Sequence, residues 1–87
     1  MTEYRIDCLK VTDSTSAHKY LAEVFSFPEW YGNNLDALFD LLRDMGDSVV
    51  IVENTDALSA LGVYGDALLE TIKDAACENP HMELKMD

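Results

Sequence analysis

Basic side chains, histidine, cysteine and glycine are all scarce in this sequence, and each shortage removes a class of function. Six Lys and Arg stand against seventeen Asp and Glu, a formal net charge of −11. A surface so negative repels nucleic acid and anionic membranes and attracts basic proteins or cations. The four glycines are scattered singly, so no glycine-rich loop exists to cradle a phosphate. Only His18 and His81 could activate Cys8 or Cys77, and neither cysteine lies in a C-x-x-C motif, which argues against thiol catalysis. The opening MTEYRIDCLK has no basic stretch followed by an apolar one, and no run of about 18 apolar residues occurs. The expectation is a cytoplasmic protein with both thiols free.

What is present is a foldable chain with an uneven charge distribution. Apolar residues make up 48% of the 87 positions, enough for one compact core and one domain over residues 1–87. No repeat, low-complexity stretch or linker divides it. Between Asp36 and Glu78 ten carboxylates face only Arg43 and Lys73.

Periodicity gives the elements. Tyr4 to Leu9 alternates as a first strand with Tyr4, Ile6 and Cys8 on one face. Thr12 to Ser16 offers N-cap side chains for a helix burying Ala17, Tyr20, Leu21, Val24 and Phe25, which must stop before Pro28. Asn33 or Asn34 caps a second helix, Leu35 to about Asp44, with Leu35, Leu38, Phe39, Leu42 and Met45 as its apolar positions. Ser48 to Val52 is a continuous β-branched run, the mark of a strand covered on both faces. Asn54-Thr55-Asp56 caps a short helix closed by Gly62, and a long helix follows from about Tyr64 to Glu78, burying Leu68, Leu69, Ile72, Ala75 and Ala76. Asn79-Pro80 breaks it before a last strand, Met82 to Met86. The order β-α-α-β-α-α-β predicts an α/β fold: a small three-stranded parallel sheet with about four helices packed on its faces. The order of strands in the sheet stays open.

Two helices carry acids on their outer arcs. Asp36, Asp40 and Asp44 recur at i+4 steps opposite the Leu38/Leu42/Met45 stripe, and Asp66, Glu70, Asp74 and Glu78 repeat the pattern. Like charges at this spacing destabilise a helix by roughly 0.2–0.5 kcal/mol per pair, and apart from Arg43 and Lys73 no base is interleaved to offset them. Such stripes suit an external positive partner; they would equally suit a solvated face that only confers solubility. A metal-assisted hydrolase is a third option, since carboxylates at i, i+4 can hold Mg²⁺. Against it, no His or Lys sits in the stripes as base or electrophile apart from Lys73, and convex helices make no pocket. Beside the first stripe, Phe27 to Gly32 packs three aromatics into six residues. Trp30 and Tyr31 are either packing residues or interface anchors, because such rings combine apolar area with a polar handle. Gly32 is expected to need positive φ or close backbone approach next to the cap.

The segment Pro28-Glu29-Trp30-Tyr31-Gly32-Asn33-Asn34-Leu35-Asp36-Ala37-Leu38-Phe39-Asp40 resembles the signature of the barstar family, intracellular inhibitors of barnase-type ribonucleases. The pattern Pro-Glu-aromatic-Tyr-Gly-x-Asn-Leu-Asp-Ala-Leu-aromatic-Asp is complete, while similarity beyond residues 27–42 is weak. The resemblance implies a barstar-like fold without enzymatic activity, metal or cofactor. It implies a one-to-one complex with a basic extracellular-type ribonuclease or related toxin, an immunity role, no nucleic-acid or membrane partner, and a monomer when free. By this resemblance Trp30 covers the catalytic cleft, Gly32 and Asn34 contact its rim, and Asp36 faces the enzyme. Asp40 enters the phosphate pocket, Phe39 stands where the family has an indole, and Asp74 and Glu78 complete the negative surface. Met45 also replaces a Trp of the family's best-known member, and Asp74 is a methylene shorter than the Glu expected. These departures bear on which enzyme is the partner; another basic protein or toxin bound by the same fold is the alternative.

Overall fold

The computed structural model describes residues 2–86. Strand β1 (Thr2–Asp7) ends in a 3-10 turn at Cys8–Lys10, and helix α1 (Ser14–Phe25) follows. Helix α2 (Leu35–Arg43) leads into strand β2 (Ser48–Glu53), a 3-10 helix (Thr55–Leu61), helix α3 (Val63–Glu78) and strand β3 (Met82–Met86). The order is the one periodicity predicts, with the third helical element wound as 3-10 rather than α. All three strands are parallel, and the open question of their order resolves as β1-β2-β3, with Tyr4 opposite Val50 and Val50 opposite Leu84.

Helices cover one face of this sheet, not both. Ser48, Val50 and Val52 are buried while Val49, Ile51 and Glu53 are half-buried. The same alternation places Ile6 and Met82 inside and Glu3, Arg5, Glu83 and Lys85 outside. The β-branched run of β2 therefore does not report helices on both sides. A central strand flanked by long charged side chains can keep its outer Val49 and Ile51 half-buried without a covering helix, since such side chains carry aliphatic stems. Arg5 ties that outer face together, 3.2 Å from Glu3 and 3.4 Å from Glu53.

Local chemistry fixes several boundaries, although Asn54 does not cap the 3-10 helix as expected and its Nδ2 donates instead to Asp7 Oδ1 at 3.0 Å. Asp13 and Ser16 form a reciprocal capping box at the start of α1, with Ser16 N–H donating to Asp13 Oδ1 at 2.8 Å and Asp13 N–H to Ser16 Oγ at 3.1 Å. Ser26 ends the helix in the left-handed region at φ 57°, and Pro28 forbids its resumption. Gly65 lets α3 lie against the backbone of the 3-10 helix, since a Cβ there would sit 2.2 Å from the Leu58 carbonyl oxygen. Buried Asn79 fixes the spacing of α2 and α3: its Nδ2 donates to the carbonyls of Leu42 and Met45, each at 2.9 Å, and its Oδ1 accepts from His81 N–H. Leu38 and Leu42 of α2 and Leu68, Ile72 and Ala75 of α3 all belong to the core. Among the described residues no helix is long and apolar enough to cross a membrane.

Candidate functional site

The site begins with a division of labour in the aromatic loop between α1 and α2. Phe27 stacks on Phe25 at 5.3 Å and meets the ring of Tyr31 at 4.8 Å. Tyr31 is buried, its N–H donating to the Pro28 carbonyl at 3.0 Å. Trp30, between these anchors, is 74% exposed. Of the two candidate anchors, Tyr31 is thus core and Trp30 alone is presented outward.

Tyr31 is held by a polar contact that residue order does not reveal. His18 of α1 is buried, with Nδ1 2.6 Å from the Tyr31 hydroxyl and Nε2 against the Tyr64 hydroxyl of α3. Burial pushes the His18 pKa down, so the ring is neutral near pH 7; one nitrogen donates to a phenol oxygen and the other accepts from a phenol O–H. Both phenols are pushed up, Tyr31 strongly, by burial and in Tyr31 also by its neighbour Tyr64. This bridge links α1, the aromatic loop and α3 behind the exposed tryptophan.

Beyond Tyr31 the chain turns into α2. Asn34 is the cap: its Oδ1 accepts from Ala37 N–H at 2.8 Å and its Nδ2 donates to the Gly32 carbonyl at 3.2 Å. The positive φ expected at Gly32 belongs instead to Asn33, at 54°. Gly32 serves the other purpose, close approach: a Cβ there would lie 3.0 Å from the Asn34 side-chain nitrogen and crowd the cap. Asn tolerates the left-handed region better than most residues, which is why the strained position moved one residue on.

The acidic arc of α2 then runs beside Trp30. A shallow depression of about 390 Å³ is lined by Trp30, Gly32, Ala37, Asp40, Leu41 and Asp44. A second, of about 260 Å³, lies between α2 and α3 and is lined by Phe39, Asp74, Cys77 and Glu78. Six of the eight expected site residues therefore fall around these two hollows. Asn34 is exposed but committed to its cap, and it opens onto a groove of about 690 Å³ on the α1 side, lined among others by Lys19, Glu23, Phe27 and Tyr64. Asp36 is exposed in the first turn of α2 and lines neither hollow. Leu41, the apolar floor beside Trp30, was missed although it lies i+4 from Ala37 on the same arc.

Charge at this surface is largely unpaired. Arg43 lies 3.6 Å from both Asp40 and Asp44, and Lys73 lies 3.7 Å from Glu70. These separations exceed the roughly 2.7–2.9 Å of a charge-assisted hydrogen bond. Asp36, Asp66, Asp74 and Glu78 have no ion pair among the described residues. Among the described residues no three His, Cys, Asp or Glu side chains come close enough to hold a metal ion. The arrangement is suited to receiving cations on an exposed, ring-edged face.

Comparison with known proteins agrees in direction. Residues 1–86 match the family described as Barstar (barnase inhibitor). A Bacillus subtilis (strain 168) protein named "Putative ribonuclease inhibitor YrdF" is 38% identical over 61 residues, covering 67% of each chain.

Proposed function

The chain belongs to the barstar family, and from that premise we propose that it is a cytoplasmic inhibitor of a basic, barnase-type ribonuclease, which it blocks one-to-one by seating α2 and the Trp30 loop in the active site. The observation that carries this reading is the shared hollow of Trp30 and Asp40, an exposed indole and an exposed carboxylate presented side by side on a rigid face.

Each part has a physical task. The summed charge of −11 steers a cationic cleft toward the protein and speeds encounter. Asp40 stands in for an RNA phosphate and meets the Arg and Lys side chains that would hold it. Trp30 buries its indole over the cleft, with Gly32 allowing the loop backbone to come close. Phe39, Asp74 and Glu78 extend the contact along the second hollow, and Asp36 and Asn34 form its edge. No bond is made or broken on this chain. The support of Trp30 by buried Tyr31 and His18 matters because a preformed loop loses less entropy on docking.

Titrating barnase activity with the purified chain tests the reading. Linear loss of activity ending at one equivalent is expected, with association slowing steeply as salt is added. Absence of inhibition of barnase and of other small basic ribonucleases would overturn it. The phenyl ring at position 39 and the shorter acid at 74 favour a cognate partner differing in detail from barnase, and a non-ribonuclease basic toxin is the second reading.

A further inference from the structure

Arg43 is the one cation of α2, and it sits where a partner's cation is needed. Its Nη2 is 3.6 Å from Asp40 Oδ1, its Nε 3.6 Å from Asp44 Oδ1, and its guanidinium carbon 5.5 Å from the centre of the Phe39 ring. It therefore lies beside both carboxylates of the Trp30 hollow and beside the ring that lines the second hollow. We propose that Arg43 is an internal surrogate for the partner's cation, occupying Asp40 and Asp44 in the free protein and swinging off when a guanidinium or ammonium group of the partner replaces it. This inference rests on the reading of α2 as the docking helix.

The geometry is that of a displaceable occupant. Both contacts are longer than a charge-assisted hydrogen bond, and each uses a different guanidinium nitrogen on a different carboxylate instead of a bidentate fork. The side chains involved are 44%, 65% and 74% exposed, so water competes for every partner. Displacement is then cheap, while the occupied state still raises the threshold for binding. A lone ammonium or a loosely held metal ion gains little by evicting Arg43. A rigid partner that presents cations to Asp40 and Asp44 together gains both contacts at once. Arg43 thus acts as a selectivity element, discriminating against wrong cations rather than adding attraction for the right one.

A merely structural role is the competing explanation, since a cation in the last turn of a helix complements the dipole there. Such a role moves stability alone. The test titrates hexa-arginine amide into the full chain, wild type, R43Q and K85Q, at low ionic strength, following the Asp40 and Asp44 amide resonances. Lys85 lies on the opposite, outer face of the sheet, so K85Q makes the same change in net charge away from α2. R43Q is expected to bind the peptide up to about five-fold more tightly, the ceiling for releasing an exposed ion pair. K85Q should stay near wild type, and the gain should shrink when R43Q is combined with D40N. Equal tightening in R43Q and K85Q, or a lowered unfolding midpoint in R43Q with unchanged peptide affinity, would overturn the proposal. Because the peptide needs no ribonuclease, failure here leaves the inhibitor reading standing. Conversely, failure to inhibit ribonucleases leaves the peptide result intact.

Discussion

Two polar surfaces of this molecule have been solved in opposite ways. On the outer face of the sheet, Arg5 bridges Glu3 on its own strand and Glu53 on the next, and Lys85 stands in register with it across β2. Glu3 and Glu53 there share one base, and Val49 and Ile51 between them are half-buried. On the α2–α3 face seven carboxylates recur at helical steps with only Arg43 and Lys73 among them. On the outer face Glu3 and Glu53 share Arg5, whereas on the α2–α3 face Asp36, Asp66, Asp74 and Glu78, four acids of seven, have no ion pair among the described residues.

The sharpest way to break that comparison is to remove single acids from the α2–α3 face. Asp40→Ala should cost roughly 3–5 kcal/mol of affinity for the ribonuclease, because a desolvated cation in the partner loses its counter-charge. Asp44→Ala, one turn on at the rim, should cost about 0–1 kcal/mol. Calorimetry on the two complexes checks the contrast, and equal small losses would contradict the plug geometry.

Neighbouring aromatics sharpen it next. Trp30→Ala should weaken binding by about 2 kcal/mol or more, as an interface anchor does, and leave the thermal midpoint alone because the ring is 74% exposed. Tyr31→Phe should do the reverse. Deleting the hydroxyl that meets buried His18 should lower stability by about 1–3 kcal/mol, read by urea unfolding, with a smaller effect on affinity.

Acidity probes the same bridge. The His18 pKa is held below its ordinary value by burial, so the folded chain takes up this proton less readily than the unfolded one. The stability that His18 contributes is therefore complete above about pH 6.5 and is lost progressively as pH falls below it. Midpoints measured from pH 8 to pH 5 should decline, and His18→Gln should flatten that part of the profile. The smallest effect is expected on the outer face of the sheet, where exposed Glu83→Ala should alter ribonuclease affinity and stability by no more than about 0.5 kcal/mol.

Much of this architecture can be read from residue order. Alternation in β1 and β3, the caps at Asp13 and Asn34 and the breaks at Pro28 and Pro80 mark the element boundaries to within a few residues. The i+4 acids put both stripes on outward arcs without any coordinates. What stayed hidden is what depends on neighbours distant in sequence. A continuous β-branched run looks the same whether helices cover one face of its sheet or two, so β2 misled. Trp30 and Tyr31 are adjacent aromatics, and it is Tyr31 that turns inward, onto Phe27 and onto His18 thirteen residues before it. A lone His in a helical stripe carries no mark of burial, because its two phenol partners come from other elements. Gly32 and Asn33 exchanged the expected positive φ, since local sequence permits the turn at either place and the cap geometry selects one.

Chemical-shift mapping of the isotopically labelled chain in complex with an inhibited ribonuclease addresses the α2–α3 face most directly. Perturbations should gather at Trp30, Gly32, Phe39, Asp40, Asp44, Asp74 and Glu78, and leave Arg5, Ile51 and Lys85 unmoved. Perturbations centred on the outer strands, with Asp40 and Trp30 unchanged, would contradict the account.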